Sequence, residues 1–141
     1  MREKVPDLPI ERLRMSGLRP TRQRVALADL LFGRGDRHFT AEMLHAEAVG
    51  RGIPVSLATV YNTLHQFVEA GLLREVAVES SKTYFDTKTS NHFHFFIEGE
   101  GTLVDIDVPD LTVENLPEPP EGMEITRIDV LVRIAPKRER R

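Results

Sequence analysis

Residues 56–71 read SLATVYNTLHQFVEAG, and this stretch decides the fold of the first half of the chain. Ser56 is a residue type that caps the start of a helix, and Gly71 suits the left-handed conformation that often ends one. Between them, apolar side chains recur at helical spacing. They are Leu57, Val60, Leu64, Phe67 and Val68. The stretch therefore predicts one amphipathic helix with a polar opposite face.

Two shorter helices are predicted ahead of this one. Thr21 and Thr40 are capping residues, and Gly33 and Gly50 stand where the two helices should end. Val25, Ala28, Leu31 and Phe32 form the apolar stripe of the first helix, and Ala41, Leu44 and Ala48 form that of the second. Three short helices with tight joints predict a small helical core.

The pattern changes to strands directly after the third helix. LLREVAV and TYFD have strand character and are separated by the polar turn ESSK. A hairpin behind a third helix is the wing of a winged helix. We therefore predict a winged helix-turn-helix within residues 12–86, in a domain that spans residues 1–86.

Residues 87–141 predict a second domain. Residues 91–108 have a hairpin pattern with a break at EGEG, residues 109–124 contain four prolines that exclude a long helix, and residues 125–135 predict a final strand. The expected fold class is α+β: an N-terminal winged helix-turn-helix followed by a small α/β dimerisation domain with an antiparallel sheet.

Composition limits the classes of function. A chain of 141 residues forms two small cores only if a partner subunit completes the second. The absence of cysteine excludes disulfides, thiolate nucleophiles and a structural cysteine zinc site. No apolar run approaches the ~20 residues of a membrane span, and the amino end lacks the apolar stretch of a secretory signal. These features predict a cytoplasmic protein with no membrane partner.

The charge is divided along the chain. The net charge of the whole chain is −3, but residues 12–37 hold seven Arg against two Asp, a net charge of +5. Residues 98–124 hold nine acidic side chains and no Lys or Arg. One end can therefore face phosphate while the other faces solvent, a partner or a cation. Two ordinary solvated surfaces are the alternative.

The third helix and the arginines before it predict a DNA interface. Thr and Tyr side chains can meet phosphate or a thymine methyl group, and Asn62 could pair with adenine in the major groove. Arginines near the first helix would supply the salt-dependent part of affinity. The candidate DNA-binding residues are Arg19, Arg22, Arg24, Ser56, Thr59, Tyr61 and Asn62.

A second group of residues predicts a ligand site. His92 and His94 lie on the same face of a strand, because side chains alternate there. Asp86 and Asp105 offer nearby oxygen donors. Nitrogen and oxygen ligands without sulfur favour iron(II), manganese(II) or zinc. His38, distant in sequence, would by itself be a surface histidine, and non-ligand roles for the pair stay open. A metal-dependent hydrolase or a metal-storage module is the remote alternative.

Over residues 12–134 the chain resembles the ferric uptake regulator family. The matching stretches are GLRPTRQRVALADLL, HFTAEML, SLATVYNTLHQFVEAGLL, YFD and HFHFFIEGEGTLVDI. The resemblance implies a homodimer that binds inverted-repeat DNA, with Tyr61 and Arg19 at the bases or groove and Thr59 supporting them. It implies a transcription regulator and no enzymatic activity. The regulatory metal site that it implies comprises His38, Asp86, His92, His94 and Asp105.

Departures from the family pattern refine this expectation. Ile97 and Glu100 stand where many members have a cysteine pair. Asn91 and Phe93 stand where the family has ligands of a second metal site, and Asn62 stands where the family often has an arginine. In its lack of cysteine and its NHFHFF segment, the chain resembles the iron response regulator branch of the family. This resemblance implies a repressor of iron and haem metabolism genes. That branch implies haem or a haem-synthesis enzyme as a partner, with His92 or His94 as a haem ligand.

A direct sensor of divalent metal or of peroxide is the alternative within the family. The expected DNA partner is an AT-rich inverted repeat.

Overall fold

The chain divides into two compact units, Met1–Thr89 and Ser90–Arg141. The predicted boundary, between residues 86 and 87, lies close to this division. The computed structural model describes residues 8–79, 82–89, 93–106 and 111–138. Each unit is described by itself below.

The first unit contains four helices and three strands among its described residues. Its elements are α1 (Pro9–Met15), α2 (Arg22–Leu31), β1 (His38–Thr40), α3 (Ala41–Gly50), α4 (Leu57–Glu69), β2 (Arg74–Glu79) and β3 (Lys82–Asp86). The three predicted helices are confirmed as α2, α3 and α4. Helix α1 and strand β1 were not predicted; α1 has Pro9 in its first turn and fully buries Leu13.

The predicted caps start the three helices. The side-chain oxygens of Thr21, Thr40 and Ser56 each accept a hydrogen bond from the backbone N–H three residues later, at 3.2, 3.2 and 3.1 Å. Each bond satisfies a donor that the first helical turn leaves without a partner. Gly71 follows α4 with a φ of +79°, a backbone conformation that residues other than glycine rarely adopt.

The core of the first unit lies between the helices and the sheet. Leu27, Leu44, Leu64 and Phe67 have no solvent exposure and belong to one apolar cluster. Phe85 joins the same cluster from the sheet. The predicted apolar stripes therefore face a shared interior, and the polar side of α4 is left outside it.

The first sheet has the strand order β1-β3-β2. β2 and β3 form the predicted antiparallel wing hairpin, and Ser80 and Ser81 of its predicted turn lie outside the described residues. β1 pairs antiparallel with the other edge of β3, which sets His38 directly opposite Asp86. A short strand before α3 thus carries His38 into the sheet.

The described part of the second unit is a three-stranded sheet with the order β5-β4-β6. Its strands are β4 (Phe93–Ile97), β5 (Thr102–Ile106) and β6 (Leu131–Ile134). β4 and β5 form the predicted hairpin, with Gly99 and Gly101 at positive φ in the EGEG turn.

β6 pairs parallel to β4, so the sheet is mixed, whereas the expectation was an antiparallel sheet. The final strand is also shorter than the predicted 125–135. Parallel pairing requires a long crossover, and the chain between β5 and β6 supplies it. The prolines of residues 109–124 were expected to exclude a long helix, and residues 111–130 contain no helix. The described residues of this unit are therefore strands and loops.

Within the described ranges, none of the helices combines the length and the apolar character needed to cross a bilayer.

Candidate functional site

The polar face of α4 is accessible in the first unit. Ser56 and Asn62 are exposed, and Thr59 and Tyr61 are half-buried. Ser56 Oγ caps the helix and also donates a hydrogen bond to Thr59 Oγ1 at 3.0 Å. The structure therefore brings Ser56 and Thr59 together at the start of α4. The cap fixes the orientation of the first turn, which is the turn predicted to enter a groove.

Tyr61 is joined to the neighbouring helix α3. Its hydroxyl donates a short hydrogen bond to the carboxylate of Glu42. This bond lowers the pKa of Glu42 and raises the pKa of Tyr61, because it favours the charged carboxylate and the protonated phenol together. Sequence reasoning missed Glu42, since nothing in its local pattern distinguishes it from other acidic residues in a first helical turn.

The three candidate arginines differ in what they contact. Arg19 and Arg22 are exposed, but Arg24 is half-buried. The Arg24 guanidinium donates through Nε and Nη2 to Gln66 Oε1, at 3.1 and 3.0 Å, and through Nη1 to the backbone carbonyl of Arg19 at 2.9 Å. Gln66 lies on α4. Arg24 thus links α4 to the segment before α2, a contact that sequence analysis did not predict.

His38 and Asp86 form the first of two histidine–carboxylate pairs. His38 Nε2 lies 3.1 Å from Asp86 Oδ2, and the side chain of Asp86 is only 1% exposed. The other carboxylate oxygen, Oδ1, accepts a hydrogen bond from the backbone N–H of Lys88 at 2.9 Å. Burying a carboxylate is costly unless it is paired. Here one oxygen is anchored by the backbone, and the other is directed to the imidazole.

His94 and Asp105 form the second pair, within the second unit. They are directly opposite each other on β4 and β5. His94 Nε2 lies 3.4 Å from Asp105 Oδ1, and His94 is almost fully buried. The predicted association of these residues through the hairpin is present in the structure. His92, the remaining predicted ligand, lies outside the described residues.

The donor chemistry and spacing of each pair fit a divalent cation. Two ligand atoms that each lie ~2.1 Å from one ion are roughly 3.0 Å apart at an octahedral angle and roughly 3.4 Å apart at a tetrahedral angle. The observed separations, 3.1 and 3.4 Å, fall within this range. Imidazole and carboxylate donors suit iron(II), manganese(II) or zinc, and all four residues offer such donors.

Comparison with known families identifies a match that covers most of the chain. The model of the ferric uptake regulator family matches residues 15–132. The chain is 35% identical over 118 residues to the peroxide operon regulator of Bacillus subtilis, covering 83% of this chain and 81% of that protein. It is 34% identical over 119 residues to the peroxide-responsive repressor PerR of Staphylococcus aureus, covering 83% of this chain and 79% of that protein.

The fold has a counterpart among solved structures. The ferric uptake regulator from Pseudomonas aeruginosa with manganese superposes with a TM-score of 0.70 and 23% sequence identity. The match covers 93% of this chain and 99% of that chain. At this level of identity the likeness concerns the fold, namely a winged helix followed by a small second domain.

Proposed function

Because this chain belongs to the ferric uptake regulator family, a family of DNA-binding metalloregulators, we propose that it is a transcriptional repressor in which α4 reads the major groove. The observation that carries this proposal is the accessible polar face of α4. Ser56 and Asn62 are exposed there, and exposed Arg19 and Arg22 lie on the same unit. Short polar side chains can contact base edges, and arginines can neutralise phosphates.

We propose one divalent ion, held jointly by His38, Asp86, His94 and Asp105, as the signal. The spacing within each pair and the absence of cysteine support iron(II), manganese(II) or zinc. His92 is a fifth candidate ligand. Metal would then act through different affinities for two arrangements of the protein.

The proposed assembly is a homodimer on an AT-rich inverted repeat. A symmetric dimer presents two copies of α4 related by a two-fold axis, and an inverted repeat has the same symmetry. Family membership supports this assembly, as does the exposed apolar surface of the second unit.

A DNA-binding titration tests these proposals. We expect the wild-type protein to bind a labelled AT-rich inverted repeat more tightly with manganese(II) than with a chelator, and the affinity should fall steeply with salt. His94→Ala should lose the metal response, with metal affinity at least ~10-fold weaker. His45→Ala is the matched control, since His45 on α3 belongs to neither pair. Unchanged metal affinity in His94→Ala would exclude the proposed metal site.

Peroxide is a second candidate signal. The two relatives above are named as peroxide regulators, and this similarity supports peroxide at least as well as iron or haem status. In the proposed reaction, peroxide transfers one oxygen atom to an imidazole of an iron(II)-loaded site and leaves as water. Peptide mass spectrometry after peroxide treatment should find one added oxygen atom on His38, His92 or His94 with iron(II) and none with manganese(II). An unmodified iron-loaded protein that still releases DNA would contradict this reaction.

Haem, with iron and haem metabolism genes as targets, is the competing proposal. His94 has less support as a haem ligand, because it is 3% exposed and its Nε2 faces Asp105. Absorption spectra distinguish the two proposals. A Soret shift that disappears in His92→Ala or His94→Ala, with a matching change in DNA affinity, would favour haem over a metal ion.

A further inference from the structure

Arg24 joins the segment before α2 to the face of α4. Its guanidinium makes two hydrogen bonds to Gln66 Oε1 and one to the backbone carbonyl of Arg19. Arg24 and Gln66 are 42 residues apart in sequence. Three of the five guanidinium N–H groups are therefore committed to acceptors within the protein.

The planar geometry of the guanidinium fixes the two acceptors relative to each other. A guanidinium is planar, so its N–H groups leave at fixed angles and hold the two acceptors in a fixed relative position. One acceptor belongs to the residue that precedes Pro20, and the other lies in the second half of α4. The exposed side chain of Arg19 extends from the same residue whose carbonyl is held. The position of Arg19 is thus coupled to the orientation of α4.

We infer that Arg24 is a positioning residue, which fixes Arg19 relative to the DNA-reading face of α4 by hydrogen-bonding Gln66 and the Arg19 carbonyl. This inference rests on the proposed DNA-binding function. It gives Arg24 a different role from the phosphate contact expected from sequence. Both acceptors are neutral amide oxygens, and these hydrogen bonds direct the guanidinium towards groups within the protein.

Arg24→Lys separates the two roles, because lysine keeps the charge and loses the planar fork. If Arg24 positions Arg19, the variant should bind the inverted repeat about 10-fold more weakly. Its preference for the repeat over a mismatched duplex should also fall, while the slope of log affinity against log salt stays unchanged. If Arg24 contacts phosphate instead, lysine should preserve affinity and selectivity, which would overturn the inference.

A double-mutant cycle with Gln66 provides the second measurement. Gln66→Ala should reproduce the loss of affinity and selectivity, and Arg24→Lys/Gln66→Ala should be no weaker than either single variant, because one interaction is removed in all three. Additive losses would mean that the residues act independently and would overturn the inference. Helical circular dichroism checks that each variant is folded. A wild-type protein that shows no sequence-preferring binding would instead reject the proposed function itself.

Discussion

The two units differ in how completely they bury their apolar side chains. In the first unit, sixteen buried apolar residues form one connected cluster. In the described part of the second unit, the buried apolar residues are Phe96, Leu103 and Ile106. Among the described residues, the first unit exposes four large apolar side chains, Leu8, Met15, Met43 and Val49, whereas the smaller second unit exposes six, by 36% to 69%. These six side chains are Val104, Val113, Leu116, Met123, Ile125 and Ile134.

This difference indicates that the units obtain their stability from different sources. The first unit has a helical core closed by a three-stranded sheet, and its buried apolar cluster is built entirely from its own residues. The second unit is small, and a domain of its size buries a low fraction of its surface and is only marginally stable without additional contacts. A second copy of the chain would supply those contacts. The proposed DNA reading and the proposed assembly would then belong to separate units, and each could be perturbed alone.

The largest effect should come from the core of the first unit. Phe67→Ala removes a fully buried ring whose centroid lies 6.1 Å from that of the Phe32 ring. Such deletions cost about 3–5 kcal/mol of unfolding free energy. Urea denaturation followed by helical circular dichroism measures this loss, because all helices of the described ranges belong to the first unit.

Phe96→Ala is the matched control in the second unit, since Phe96 is also buried. It should leave the helical transition in place and weaken self-association instead. A helical transition shifted as strongly by Phe96→Ala as by Phe67→Ala would mean that the units share one core.

A smaller effect should follow dilution. If a second copy completes the second unit, each tenfold dilution lowers its unfolding free energy by about 1.4 kcal/mol of dimer. The first unit should unfold at the same urea concentration throughout. Sedimentation and urea denaturation over a hundredfold range of protein concentration measure both behaviours. A concentration-independent second transition would contradict the proposed dependence on a partner.

Helices α2, α3 and α4 could be predicted because their signals are local. A capping side chain, an apolar stripe and a terminal glycine all lie within one short window, as from Ser56 to Gly71. β1 is only three residues long, and its pairing with β3 bridges a sequence separation of more than 40 residues. β6 pairs parallel to β4 after a long crossover. The sequence of a single strand does not indicate which distant strand it pairs with, so neither pairing could be predicted.

In the candidate site, too, residues that are close in sequence could be associated and distant ones could not. His94 and Asp105 could be associated from sequence because one hairpin brings them together. His38 had the pattern of a surface histidine, and only the resemblance to a family assigned it to a metal site. The unpredicted strand β1 explains why, since it sets His38 opposite Asp86. Gln66 and Glu42 were missed because their partners lie on other helices.

The smallest effect concerns Tyr61 and Glu42, whose hydrogen bond lies entirely within the first unit. The bond raises the pKa of Tyr61 above its ordinary value of 10.0 and lowers that of Glu42 below 4.5. The contribution of Tyr61 to stability is therefore present below pH 10 and is lost as the pH rises through its folded pKa. The contribution of Glu42 is present above pH 4.5 and is lost as the pH falls through its folded pKa.

Glu42→Gln should return the pKa of Tyr61 towards its ordinary value, because the charged acceptor is gone. An absorbance titration of phenolate measures this, in a Tyr84→Phe background that leaves Tyr61 as the only tyrosine. Glu42 is exposed and Tyr61 is half-buried at the surface, so solvent screening keeps the effect on unfolding small. Since the first unit should need nothing from a partner, the titration should not change with protein concentration. A change in the pKa of Tyr61 on dilution would show that self-association alters the surroundings of Tyr61 on α4.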